Sequence, residues 1–323
     1  MNLEQFVSAL NTWGASRTPF FFLTDFELNQ PLAFRLDEVD PNVLQYSING
    51  FSNSPILTRP SGSVDLQLFP ISFQEYETRF KRVQHHLGYG DSFLLNLTVK
   101  TPVGLNCSLQ EIFNRAQARY KCWYQNEFIV FSPETFVQIR GNKIYAYPMK
   151  GTIDASVPYA TDQILNDPKE KAEHVTIVDL IRNDLSQVAT AVEVTRFRYV
   201  EEIKTNRARL LQVSSEITGR LPDDFHCQLG TLLVKLLPAG SVSGAPKLKT
   251  CSVIRAAEGC DRGFYSGVLG YFDGINLDSG VMIRFIEHQD GRYYYRSGGG
   301  ITTQSEAAKE YQELLDKIYV PVN

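Results

Sequence analysis

From residue 264 to residue 298 the chain reads as three apolar strands in succession, FYSGVLGYFDG, SGVMIRFIEH and GRYYYRS, broken at Asp273-Gly274 and Asp290-Gly291. Asp-Gly between such runs signals a tight hairpin turn, because both residues tolerate the positive φ it needs. Strands joined so closely must pair antiparallel, since parallel neighbours need a long crossover. That removes the doubly wound folds and leaves antiparallel sheets with helices added.

The same pattern runs upstream. FVQIR-GN-KIYAY (136–147) predicts a hairpin about Gly141-Asn142, and FLLNLTV (93–99) and EFIVFS (127–132) predict strands. Single helices interleave. Phe73, Tyr76, Phe80, Val83 and Leu87 recur at helical spacing, with Gly88 as the expected stop. Ser108 and Glu111 form a capping box ahead of a helix to about Tyr120. Asp167 and Pro168 suit the N-cap and first turn of a helix through EKAEHVTIVDLIRNDL. After a strand in RARLLQVSSEITG come a helical TLLVKLL, a Gly/Ser/Pro loop at 238–246 and a helix from Pro246 to about Ala257. An amphipathic helix at 305–318 closes the chain. The predicted class is α+β. The first 70 residues, rich in Phe, Pro and Asn, predict a looser edge of the same body as 71–323, with no clean boundary between them.

A net charge of -4 without any Lys/Arg run excludes a nucleic-acid footprint. No apolar run approaches the roughly 18 residues of a membrane helix, and MNLEQF, with Glu4, does not read as a secretory signal. Five scattered cysteines show no zinc spacing. A cytoplasmic enzyme or binding protein is the expectation.

Two helices each carry glutamates three apart, Glu170 with Glu173 and Glu310 with Glu313, so each pair shares a face. They suit magnesium, which takes one or two protein carboxylates beside water and an anionic substrate, and they equally suit a solvated helix face. The loop Pro238–Lys247 leads into a helix whose free N–H groups could seat a carboxylate. Gly298-Gly299-Gly300 after a strand allows close backbone approach or a plain turn. Lys150 and Glu134 read as easily as surface charges. Arg284 does not, because inside VMIRFIE it needs an anionic partner.

Taken in order, SPETF at 132, PMKGT at 148, KEKAEHVTIVDLIRNDL at 169, PAGSVSGAPK at 238, YSGVLGYFD at 265, VMIRF at 281, GGGI at 298 and AAKEYQELLDK at 307 resemble the chorismate-utilising enzymes. That family includes anthranilate, aminodeoxychorismate, isochorismate and salicylate synthases. The likeness spans about residues 72–318 and implies two antiparallel sheets face to face with helices outside. Where anthranilate synthases resemble PIAGT, aminodeoxychorismate synthases resemble PIKGT, and this chain has PMKGT. The resemblance therefore implies amination of chorismate at C4, with ammonia from a glutamine amidotransferase subunit. It assigns Lys150 as the nucleophile at ring C2 and Glu134 as the acid that protonates the leaving hydroxyl. It further implies Mg2+ on Glu173 and Glu313, supported by Glu170 and Glu310. Arg284, Tyr265, Ser241, Gly299, Gly300 and Lys317 would cradle the substrate.

Two departures bear on this. The family's His-Leu-Val-Ser has Gln212 at the histidine position, and glutamine cannot act as a base for pyruvate elimination. The N-terminal part is trimmed relative to many members. The alternatives are an anthranilate, isochorismate or salicylate synthase-like enzyme, or a catalytically silent relative. Isochorismate and salicylate synthases resemble Lys-Val-Val-Leu where this chain reads Leu94-Leu95-Asn96-Leu97, without the water-activating lysine.

Overall fold

A computed structural model describes residues 1–54, 63–204 and 209–322. Among them two sheets, each of nine strands and antiparallel at every pairing, lie face to face. Phe21 and Leu23 of the first sheet meet Leu44, Tyr46, Tyr120, Cys122, Phe128 and Val130 of the second in a core between the layers. Phe21 stacks on Tyr46 with ring centroids 4.3 Å apart. Helices cover both outer faces. Leu3–Ala15, Leu229–Leu236 and Pro168–Ser186 pack on the first sheet, while Phe73–Tyr89, Lys247–Glu258 and Ala307–Asp316 pack on the second.

Local rules set many boundaries. Ser108 and Glu111 make the expected capping box, and the Asp167 side chain accepts from the Glu170 N–H with Pro168 in the first turn. The 136–147 hairpin forms as Thr135–Arg140 with Lys143–Ala146. Of RARLLQVSSEITG, Arg207 and Ala208 lie outside the described residues, and the strand runs Arg209–Arg220.

Other expectations need correction. The helix after Ser72 runs past Gly88 and stops at left-handed Gly90, φ 88°. The helix after Ser108 ends at Arg115, because Tyr120–Tyr124 is a strand whose Tyr120 and Cys122 are buried between the sheets. Within 1–70, residues 1–48 are no loose edge. Phe20, Phe21, Phe22 and Leu23 are fully buried in a strand of the first sheet, and burial of each such side chain contributes about 1.5–3 kcal/mol. VMIRFIE is not one strand. Leu277–Val281 belongs to the first sheet and Phe285–Gln289 to the second, with Arg284 in the crossing between them at φ 53°. Gly298–Gly300 is neither turn nor bulge, for all three pair in register with Thr98, Leu97 and Asn96 inside the strand Arg292–Ile301.

Candidate active site

Two crossings between the sheets place the first pair of site residues. One carries Pro133-Glu134 from Phe128–Ser132 to Thr135–Arg140, and the other carries Met282-Ile283-Arg284 back. They bond to each other: the Val281 N–H donates to the Glu134 carbonyl at 3.0 Å and the Phe131 N–H to the Arg284 carbonyl at 3.0 Å. An acid and a guanidinium therefore enter one cleft from adjacent crossings. The Ser241 hydroxyl donates to Glu134 Oε1. Burial raises the Glu134 pKa, against the lowering effects of Ser241, Lys150, Lys317 and Arg284. Arg284 donates to the Lys317 carbonyl at 2.7 Å, and its guanidinium lies over the Tyr319 ring.

The cleft has a volume of 270 Å³ and takes its walls from both sheets. Lys150 enters from the strand Met149–Asp154 through an irregularity. Met149 pairs with Ser214 and Thr152 with Gln212, so Lys150 and Gly151 oppose Val213 alone, with Gly151 at φ 87°. A bulge of this kind re-aims a side chain. Lys150 Nζ stands 3.6 Å from Glu173 Oε2, and a Cβ built on Gly300 would stand 3.0 Å from it. Gly300 lacks a side chain where the lysine needs the room. Gln212, at the departure from the family pattern, lines the same cleft.

The two glutamate pairs converge from Pro168–Ser186 and Ala307–Asp316. Lys169 Nζ lies 3.8 Å from Glu173 and 3.8 Å from Glu310, and Lys317 pairs with Glu313 at 2.6 Å while donating to the Gly298 carbonyl at 2.9 Å. A Cβ on Gly299 would stand 3.5 Å from Glu310 Oε2 and 3.6 Å from Glu313 Oε1. Burial raises the pKa of Glu170 and of Glu310, each with a further rise from a neighbouring glutamate. At Glu313 burial also acts upward, but Lys317, Lys150 and Lys169 outweigh it and the pKa is lowered.

Hard carboxylate oxygens are the donor type that suits magnesium; Glu313 lines the cleft, and an ammonium, Lys169, sits between Glu173 and Glu310 behind it. Among the described residues no three His, Cys, Asp or Glu side chains could hold an ion by themselves.

All the residues singled out from sequence thus border one region. Tyr265 is buried in a turn ahead of the strand Val268–Phe272, its hydroxyl pKa pushed by burial to about 12. From the loop at 238–246 the cleft takes Ser241 and Val242, in a short 3-10 turn, and not the first turn of the following helix. The carboxylate seat expected at that helix start lies elsewhere, because Gly244-Ala245 pairs with Leu94-Leu95 and carries the helix aside.

Sequence reasoning missed several supporting groups. Arg262, 1% exposed, donates to Glu258, to the Val242 carbonyl at 2.7 Å and to the Asn96 carbonyl at 2.7 Å, which ties two walls of the cleft together. Its i,i+4 spacing from Glu258 was the available signal. His174, fully buried, bonds Ser215 through Nε2 at 2.7 Å, and burial lowers its pKa to about 4. Lys169 stands beside Glu170 in the glutamate motif and was overlooked there.

The family model described as "chorismate binding enzyme" matches residues 35–323. An uncharacterized PabA-like protein of Pasteurella multocida is 50% identical over 100% of both chains. Aminodeoxychorismate synthase component 1 of Klebsiella aerogenes is 33% identical over 77% of this chain and 57% of its own length. The menaquinone-specific isochorismate synthase of Escherichia coli superposes with a TM-score of 0.71 at 16% identity, covering 97% of this chain and 80% of that one, which shows the shared fold.

Proposed function

The chain belongs to the chorismate-binding enzyme family, and on that premise we propose that it is an aminodeoxychorismate synthase of the component I type, exchanging the C4 hydroxyl of chorismate for an amino group. The observation that carries this reading is Lys150, aimed into the cleft beside Glu173 and over the bare backbone of Gly300. Similarity of 31–33% to aminodeoxychorismate synthases supports it.

In this reading the free amine of Lys150 adds to ring C2. Both ring double bonds shift, C1=C2 to C1=C6 and C5=C6 to C4=C5, and the C4–O bond breaks as Glu134 gives its proton to the oxygen, which leaves as water. Ammonia then adds at C4, both double bonds shift back, and the C2–N bond to Lys150 breaks. Glu134, now a carboxylate, recovers a proton from the incoming nitrogen. One hard displacement becomes two easier ones. A carboxyl group held above its ordinary pKa by burial suits the acid role. Arg284 and Tyr265 would hold the enolpyruvyl carboxylate, with Ser241, Lys317 and the Gly299-Gly300 backbone around the ring. Glu173 and Glu313, backed by Glu170 and Glu310, would hold Mg2+, whose chemistry is to polarise the ring carboxylate as a Lewis acid. Ammonia would come from a glutamine amidotransferase subunit.

The test is an assay with chorismate, Mg2+ and an ammonium salt, coupled to a lyase that releases p-aminobenzoate from 4-amino-4-deoxychorismate. Anthranilate or isochorismate as the main product overturns the assignment.

A further inference from the structure

Lys169 has a position that the chemistry above does not use. It lies in the first turn of Pro168–Ser186, and its ammonium reaches across to the helix Ala307–Asp316, 3.8 Å from Glu173 on its own helix and 3.8 Å from Glu310 on the other. Its two partners are largely buried, with side chains 10% and 5% exposed, while its own is 44% exposed. Glu173, Glu310, Glu170 and Glu313 all attract its ammonium. The same four carboxylates are the ones that would gather on a divalent cation.

We propose that Lys169 is the resident counter-ion of this cluster: it neutralises the carboxylates of both helices in the metal-free protein and swings out when a divalent cation enters. The inference rests on the reading that these glutamates hold such a cation. Like charges facing each other across two helix ends are destabilising. Lys150 and Lys317 relieve Glu173 and Glu313, and Lys169 adds the cross-helix bridge that reaches Glu310. A lysine suits a counter-ion that must leave, because its ammonium is a point charge on a flexible four-carbon stem, without the planar fork by which arginine locks on to a carboxylate. Half-exposed at its post, Lys169 can return its charge to water without leaving a buried group unpaired. The consequence is a site whose affinity for metal is held down by its own side chain.

The experiment titrates the full chain with Mn2+, without chorismate, and reads free Mn2+ by its electron paramagnetic resonance signal. Lys169→Met should bind Mn2+ about tenfold more tightly than wild type, as expected from removing one cation a few ångströms from the site. Melting in EDTA should show the opposite order, the variant below wild type, and saturating Mn2+ should close the gap. Lys169→Gln repeats the test should the methionine variant fail to fold. Equal or weaker Mn2+ binding by the neutral variants, beside a wild type that does bind, overturns the inference. Wild type and variants that take up no Mn2+ at all overturn the metal reading itself.

Discussion

Lys150 and Gly300 face each other so closely that a Cβ added to the glycine would stand 3.0 Å from the lysine Nζ and 3.2 Å from Leu94 Cδ1. Gly300 sits in regular pairing with Asn96, so alanine there strains no backbone and presses on the lysine and, less closely, on the end of the Leu94 side chain. Gly300→Ala should lower kcat by about tenfold or more, since sub-ångström misplacement of a reacting group is enough for that. Its melting temperature should stay near wild type. Steady-state kinetics beside a thermal scan checks this, and an unchanged kcat would show that Lys150 has slack.

Lys150→Ala should abolish formation of 4-amino-4-deoxychorismate by several orders of magnitude while chorismate binding, measured by calorimetry with Mg2+, is largely kept. Wild-type enzyme quenched during turnover should carry a ring-derived adduct on the peptide containing Lys150. Full activity in the alanine variant would remove the reason for preferring C4 amination.

Glu134 ties stability and rate to pH in a fixed sense. Its folded pKa is raised by burial above the ordinary glutamate value of about 4.3. The protonated form is therefore favoured by folding, and that contribution is complete below the unfolded pKa and lost as pH rises through the folded one. Glu134→Gln should melt higher than wild type at pH 8, with the gain vanishing near pH 4. As a general acid, Glu134 must be protonated, so wild-type turnover should fall on the alkaline side of its folded pKa. The glutamine variant should lose that limb together with most of its rate. Thermal scans and pH–rate profiles would both be flat with respect to Glu134 if the carboxyl were idle.

Arg262→Met should cost about 3–5 kcal/mol in urea unfolding, because it strands the Glu258 carboxylate, which is itself buried and bonded to the Thr98 N–H. Adding Glu258→Gln should recover a good part of that loss. A double variant no better than the single one would mean that the carbonyl bonds to Val242 and Asn96 carry the effect.

The legible parts were those governed by neighbours in sequence. Capping at Ser108 and Asp167 and the hairpin at Gly141-Asn142 need only a few consecutive residues. Arg284 shows where that fails: its segment is evenly apolar with no Gly or Pro, so nothing local reveals that the chain changes sheets there in a left-handed conformation. The triple glycine was open to a close backbone approach or a turn, and only the pairing decides: it lies mid-strand, with Lys150, Glu310 and Glu313 beside it. The placement of Lys169 between Glu173 and Glu310 depends on two helices meeting across the 120 positions 187–306 that separate them, which no local spacing encodes.

The paired bonds between the two crossings also make them a built-in gauge. The amide protons of Phe131 and Val281 are each held by the last residue of the other crossing, so they are released to solvent only if the two crossings unpair. Their hydrogen-exchange rates, followed with and without chorismate, report the unpairing of the crossings that carry Glu134 and Arg284 directly, free of any label near the chemistry.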